Sequence, residues 1–247
     1  MISKHELIAL YNILKKDIKS YYLKPPNISW GLIFPFAWML MFLIRAEGEV
    51  EIIDVFPGVI AVSILFGTTS MLAVTITFEK RSRSFERLLL APIDLNLLML
   101  AKTSGAIVFG MLNAMLPVIV ISFFVDITST NVFLIIGSIL FSAISSTFLM
   151  LFIAVSVKEV FEAQTYSNFF RFPMLFLCGL FVPVQELPAI IQPLSYILPL
   201  TYGVDLLRTS INQTGHLPVW LSFSVLILFC LALFMYSIKN VKHKWID

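Results

Sequence analysis

The chain has 247 residues, 59% of them hydrophobic and 13% charged, against roughly 45–50% and 25% in soluble domains. A water-soluble core cannot absorb that apolar surplus. Because the surplus comes in long blocks, the expected fold is all-α and integral to a membrane, a single bundle of spanning helices.

Residues 1–27 carry Lys4, Lys15, Lys16, Lys19 and Lys24 and have no apolar stretch followed by a small-residue cleavage site, so no signal peptide is expected. Leu7, Leu10, Tyr11, Leu14 and Ile18 recur at helical spacing opposite Lys4, Lys15, Lys16 and Lys19. That pattern predicts an interfacial amphipathic helix, apolar face in the acyl boundary and lysines at the headgroups, serving as a lipid anchor, a docking surface for a cytoplasmic partner, or both.

Crossing about 30 Å of hydrocarbon takes roughly 20 helical residues, since backbone polar groups in lipid must be bonded within the helix. Segments 28–44, 55–78, 103–125, 132–157, 161–182 and 218–238 meet that need, giving a six-span domain over 28–238 and a short tail, 239–247. Lys80, Arg81, Arg83, Arg87, Lys102, Lys158, Lys239, Lys242 and Lys244 fall on one side with the amino-terminal lysines. Arg45 and Arg208 fall on the other, beside Glu47, Glu49, Glu51, Asp54 and Asp126. Positive loops stay inside, so both termini are expected in the cytoplasm. Cys178 and Cys230 lie inside apolar blocks and read as small buried hydrophobes.

The connection 79–102, EKRSRSFERLLLAPIDLNLLMLAK, is longer than adjacent helices need and has a helical pattern of its own. Phe85, Leu88 and Leu89 form an apolar stripe flanked by Arg83, Glu86 and Arg87, with Pro92 expected to end the helix. Such a stripe suits either a protein partner or the chain's own helix ends. No phosphate-cradling run of Gly, four residues, Gly, Lys and Ser or Thr occurs, and Gly105 and Gly110 read as helix-packing positions. His5, His216 and His243 are too scattered for a metal cluster or a His-activated nucleophile, so no metal site and no catalytic residue is expected.

Past Pro183, the prolines at 188, 193 and 199 interrupt an apolar stretch that extends to Ile211. Two short helices over 187–198 and 200–208 are expected, dipping into the outer leaflet or lying on the headgroups. Arg171, beside Phe172, sits roughly 15 Å deep in the fifth span. A cation there costs at least about 2.5–3.5 kcal/mol and should face protein or water. It is expected either to line a transport pathway or to pair with an acid such as Glu162.

Two separated motifs resemble ABC-2 type transporter permeases. One is Glu79 closing the second span, the basic and polar run, and then Glu86, Leu88, Leu89, Ala91 and Pro92. The other is 172–208, a fifth span ending in glycine and Pro183 before a proline-punctuated hairpin closing on Asp205 and Arg208. The resemblance implies that Glu79, Arg83, Phe85, Glu86, Arg87, Leu88, Leu89, Ala91 and Pro92 form a coupling helix seated in a groove of an ABC ATPase subunit. It implies that the outer hairpin, 184–213 with Pro183, Glu186, Pro188, Pro199, Tyr202, Asp205 and Arg208, shapes an exit. ATP and magnesium would then bind the partner, not this chain, which would be no enzyme alone. Further partners would be a second copy or a paralogous permease, and membrane lipid, with no nucleic acid. Family loops usually carry Gly and Thr before the glutamate, where this chain has Arg83, Ser84 and Phe85. The Glu-Ala-Ala loop of importers is missing, so by resemblance the direction is outward, across the plasma membrane. A hydrophobic drug-like or lipid-linked substrate suits the apolar spans. A polysaccharide or glycolipid exporter of the same fold is the alternative, since Phe169, Phe170, Phe172 and Tyr202 can stack on sugars. A receptor or assembly subunit that moves no solute is a third reading.

Overall fold

A computed structural model describes residues 4–45, 52–90, 93–123 and 130–246, and within them every regular element is helical. Helix α1 (Lys4–Asp17) runs into a π-helical turn, Ile18–Tyr22. Pro25 then opens the short α2 (Pro25–Ile28), and a second π-turn, Ser29–Ile33, leads into α3 (Phe34–Arg45). The expected first span, 28–44, is therefore helical but opens on an irregular turn. Its apolar part, Ser29–Met41, is shorter than a full crossing.

Among the described residues, four helical runs are long and apolar enough to cross a membrane: Ile53–Arg81, Leu95–Val120, Val132–Ser156 and Val219–Trp245. The first consists of α4 (Ile52–Thr69) and α5 (Leu72–Arg81), broken at Ser70 and Met71. Helix α7 (Leu95–Ile121) starts well before the expected residue 103, because Asp94 caps it by accepting a hydrogen bond from the Asn96 amide at 2.9 Å. The connection after α5 is correspondingly shorter than 79–102, and Lys102 belongs to a helix. Asn131 caps α8 (Val132–Ser156) in the same way. Helix α9 (Val160–Leu177) opens on a reciprocal capping box between Glu159 and Glu162. It closes before Gly179, whose φ of +76° is one that only glycine adopts without strain.

The expected hairpin is two short helices, α10 (Gln192–Ile197) and α11 (Pro199–Ile211), with Pro199 at the first turn of α11. Helix α12 (Val219–Val241) continues through a last π-turn, Lys242–Ile246, so 239–246 is not a free tail.

Helix α4 is the centre of the bundle: Ile60, Ile64, Leu65 and Phe66 are buried, and α4 packs on both α7 and α8, while α8 packs on α11 and α12. Apolar burial between helices gains little in lipid, so close backbone approach matters more. A Cβ on Gly67 would stand 2.9 Å from the Gly110 Cα, so α4 and α7 meet only because both positions are glycine.

Candidate functional site

Between α5 and α7 the chain turns through the short α6 (Ser84–Leu89). The turn is made at Arg83, which takes the left-handed conformation, φ 56° and ψ 12°. A side chain costs roughly 1–2 kcal/mol there, which is why glycine is the natural occupant. The hydroxyls of Ser82 and Ser84 both donate to the Glu79 carbonyl, closing the end of α5.

Beneath this elbow lies a cluster of charge. The Lys102 ammonium, 1% exposed, is 2.7 Å from Asp17 Oδ2 and 2.6 Å from Glu79 Oε2. Glu79 Oε1 also accepts from Lys16 Nζ at 2.7 Å and from the Tyr21 hydroxyl at 3.1 Å. Two cations and two anions thus balance, which is the condition for burying any of them. Burial raises the Asp17 carboxyl above its usual range, and the neighbouring Lys102 offsets this only in part. The cluster ties α1, the end of α5 and the start of α7 into one unit. Arg81 adds an exposed ion pair to Glu159 at the head of α9, 2.6 Å.

Of the residues expected to form the partner-binding stripe, Phe85 does not face outward. Its ring is buried, packed edge-on against Trp245 at 4.9 Å, and Lys80 Nζ lies 4.3 Å above the same indole. Leu88 and Leu89 are half-buried, whereas Arg83, Glu86 and Arg87 are exposed and Leu90 is 86% exposed. The chain's own carboxy-terminal turn therefore occupies the inner face of α6, and the outer face is charged with one leucine at its end. Ala91 and Pro92 lie outside the described residues.

Arg171 is 5% exposed and has no carboxylate partner among the described residues. The expected pairing with Glu162 does not form, because Glu162 accepts from the Lys158 and Glu159 amides. Instead Arg171 Nε donates to Thr69 Oγ1 at 2.8 Å, Nη2 to the Thr69 carbonyl at 2.6 Å, and Nη1 to Asn168 Oδ1 at 3.0 Å. The guanidinium thus serves the carbonyl at the break between α4 and α5, and lies 5.1 Å over the Phe66 ring. It borders a cavity of about 240 Å³ also lined by Gln164, Asn168, Trp30 and Phe172.

At the opposite end of α4, Arg208 Nε and Nη2 donate to the Gly179 carbonyl at 3.2 and 2.9 Å. Asp205 accepts from the His216 and Leu217 amides at 2.8 and 3.1 Å, and the Tyr202 hydroxyl donates to the Tyr196 carbonyl. These bonds fix α11 to the end of α9 and to the entry of α12. Pro183 precedes a 3₁₀ turn, Val184–Glu186, while Glu186 and Pro188 are exposed and make no part of that network.

The family model described as ABC-2 type transporter matches residues 9–212, most of the chain, including the elbow, Arg171 and the α10–α11 hairpin but not α12 or the carboxy-terminal turn. The chain belongs to the ABC-2 type transporter family. It is similar to the inner membrane transport permease YadH of Escherichia coli K12, 23% identical over 179 residues, 72% of this chain and 70% of that one. It also resembles the "Probable multidrug ABC transporter permease YbhS" of the same strain, 27% identical over 192 residues, 77% of this chain and 51% of that one. A third likeness is to nodulation protein J of Sinorhizobium fredii NGR234, 35% identical over 79 residues, 32% and 30% of the two chains. An ABC-2 permease is a membrane subunit of an ABC transporter, and membership implies an ABC ATPase as partner.

Sequence patterning places Lys16 on the polar face of the first helix and Lys102 among the cytoplasmic-side bases, but makes neither an ion-pair partner, and gives Asp17 and Trp245 no role. A signal was present for two of them: Asp17 is an acid directly after the bases Lys15 and Lys16, and Lys102 a lone base in an apolar run.

Proposed function

We propose that this ABC-2 permease is the six-span membrane half of an exporter, with both termini in the cytoplasm and α6 as the element through which a separate ATPase drives it. The observation that carries this reading is the two-sided elbow. Its inner face is fixed by Phe85 on Trp245 and by the buried Glu79–Lys102–Asp17 cluster, and its outer face leaves Arg83, Glu86, Arg87 and Leu90 free. A helix held rigidly on one side transmits a push applied to the other. Were it loosely packed, the push would be absorbed locally.

In this mechanism ATP binding closes the partner dimer and displaces α6. Because Glu79 and Lys102 join α5, α7 and α1, these helices move as one. The ATP-bound partner must contact the two permease conformations unequally for any shift to follow. The broken α4/α5 junction, held by Arg171, is the place where a spanning helix can bend. A pathway beside Arg171 and Phe172, between two permease copies, would receive the substrate, and the α10–α11 hairpin would shape its outer end. A hydrophobic drug-like or lipid-linked substrate is favoured by the apolar exposed rings of Phe169, Phe172 and Phe176, and its drug-like form by the relative YbhS, a probable multidrug permease.

The test uses the exposed face, because Leu88 and Leu89 also support the fold. Leu90→Asp combined with Glu86→Arg should abolish copurification of the ATPase and its stimulation in vesicles, while the permease keeps its elution profile. Normal capture of the ATPase by that variant would remove α6 from the mechanism. Capture without any substrate flux in the wild type would instead favour an assembly subunit.

A further inference from the structure

Arg171 presents a charge that its surroundings do not neutralise. Its partners, Thr69 Oγ1, the Thr69 carbonyl and Asn168 Oδ1, are all neutral acceptors. They account for three of the five N–H donors of a guanidinium. The elbow, by contrast, balances each buried ammonium with carboxylates. A purely structural role at the helix break needs donors only, and a serine or asparagine supplies those at far lower cost in lipid.

The cavity beside the guanidinium has room for a ligand. Its volume of about 240 Å³ far exceeds the roughly 10–15 Å³ needed to admit one water. Gln164, Asn168 and Arg171 lie on one face of α9 at spacings of four and three residues and all line it. Trp30 and Phe66 supply apolar walls. A charged, amide-bearing floor with aromatic sides suits an anion carried on something apolar.

We propose that this cavity binds a phosphate- or carboxylate-class anion, the headgroup of an amphiphile or the free ion, with Arg171 as the counter-charge and Gln164 and Asn168 as hydrogen-bonding partners. The assignment rests on the transport reading above and specifies the substrate class at its pathway. Binding completes the charge balance of Arg171, and the charge-assisted contact is stronger for being made away from water.

The discriminating variant is Asn168→Asp. It keeps the acceptor that Arg171 Nη1 uses and supplies an internal carboxylate in nearly the same volume. The fold should hold, and an external anion should no longer be needed. Purified protein in phosphatidylcholine nanodiscs is titrated calorimetrically with dodecyl phosphate, dodecyltrimethylammonium and inorganic phosphate. Dodecyl phosphate should bind the wild type and weaken about 10- to 100-fold in Asn168→Asp and in Arg171→Gln, the scale of one charge-assisted contact. Dodecyl phosphate binding far tighter than inorganic phosphate assigns the site to an amphiphile's headgroup, and equal affinities assign it to the free anion. Unchanged dodecyl phosphate affinity in Asn168→Asp, or equal binding of the cationic amphiphile, overturns the inference. Should Arg171→Gln fail to fold, Asn168→Asp still decides. ATPase capture by the wild type is measured on the same preparations. Its failure would sink the coupling reading, whereas intact capture with no anion preference would sink this inference alone.

Discussion

Replacing Lys102 by methionine removes one ammonium that two carboxylates share at 2.7 and 2.6 Å. The balanced cluster is left with Asp17 and Glu79 facing only Lys16, whose side chain is 46% exposed. Unit charges at such distances attract by about 6 kcal/mol at an effective dielectric of 20, a gross gain that desolvation largely offsets. What the substitution exposes is the uncompensated desolvation, so the expected cost is about 3–5 kcal/mol. Adding Asp17→Asn to Lys102→Met restores neutrality, with Lys16 and Glu79 still paired at 2.7 Å. The double variant should therefore recover most of the loss. A double-mutant cycle on detergent-solubilised protein, followed by reversible unfolding in a denaturing detergent, measures the coupling. A Lys102→Met protein as stable as wild type, or a double variant no better than the single, would refute the cluster as a clamp. Hydrogen exchange at α6 should rise in parallel, because the elbow stands on that cluster.

Trp245→Ala removes the edge-on partner of Phe85 and the indole under Lys80. These contacts are worth about 1–2 kcal/mol together, so amide exchange at residues 84–89 should accelerate roughly 5- to 30-fold. Arg83→Gly relieves the left-handed strain at φ 56° and should preserve or raise stability by about 1 kcal/mol, read as a shifted unfolding midpoint. At Gly58 an added Cβ would stand 2.0 Å from the Leu180 carbonyl. Gly58→Ala should therefore destabilise by about 1–3 kcal/mol, read as a lowered unfolding midpoint. Arg208→Gln loses the charged donors to the Gly179 carbonyl. A cost of about 1.5–3 kcal/mol should appear as early protease cleavage between residues 179 and 198.

Much of the molecule was legible in the chain itself. Long apolar runs determined a helical membrane bundle, because lipid leaves backbone polar groups no partner outside the helix. Prolines at 188, 193 and 199 marked the two short helices, and the run from Glu79 to Leu89 marked the elbow. Both signals are local, since they depend on neighbours within a turn or two. The partner of each polar side chain is not local. Lys102 finds Asp17 across 85 positions and Arg171 finds Thr69 across 102. Only tertiary packing could decide that Phe85 turns inward to Trp245, that Glu162 caps its own helix, and that Arg171 carries an unbalanced charge beside a cavity. The physical reason is that periodicity reports which face of a helix is apolar, while burial of a charge depends on which helix arrives to cover it.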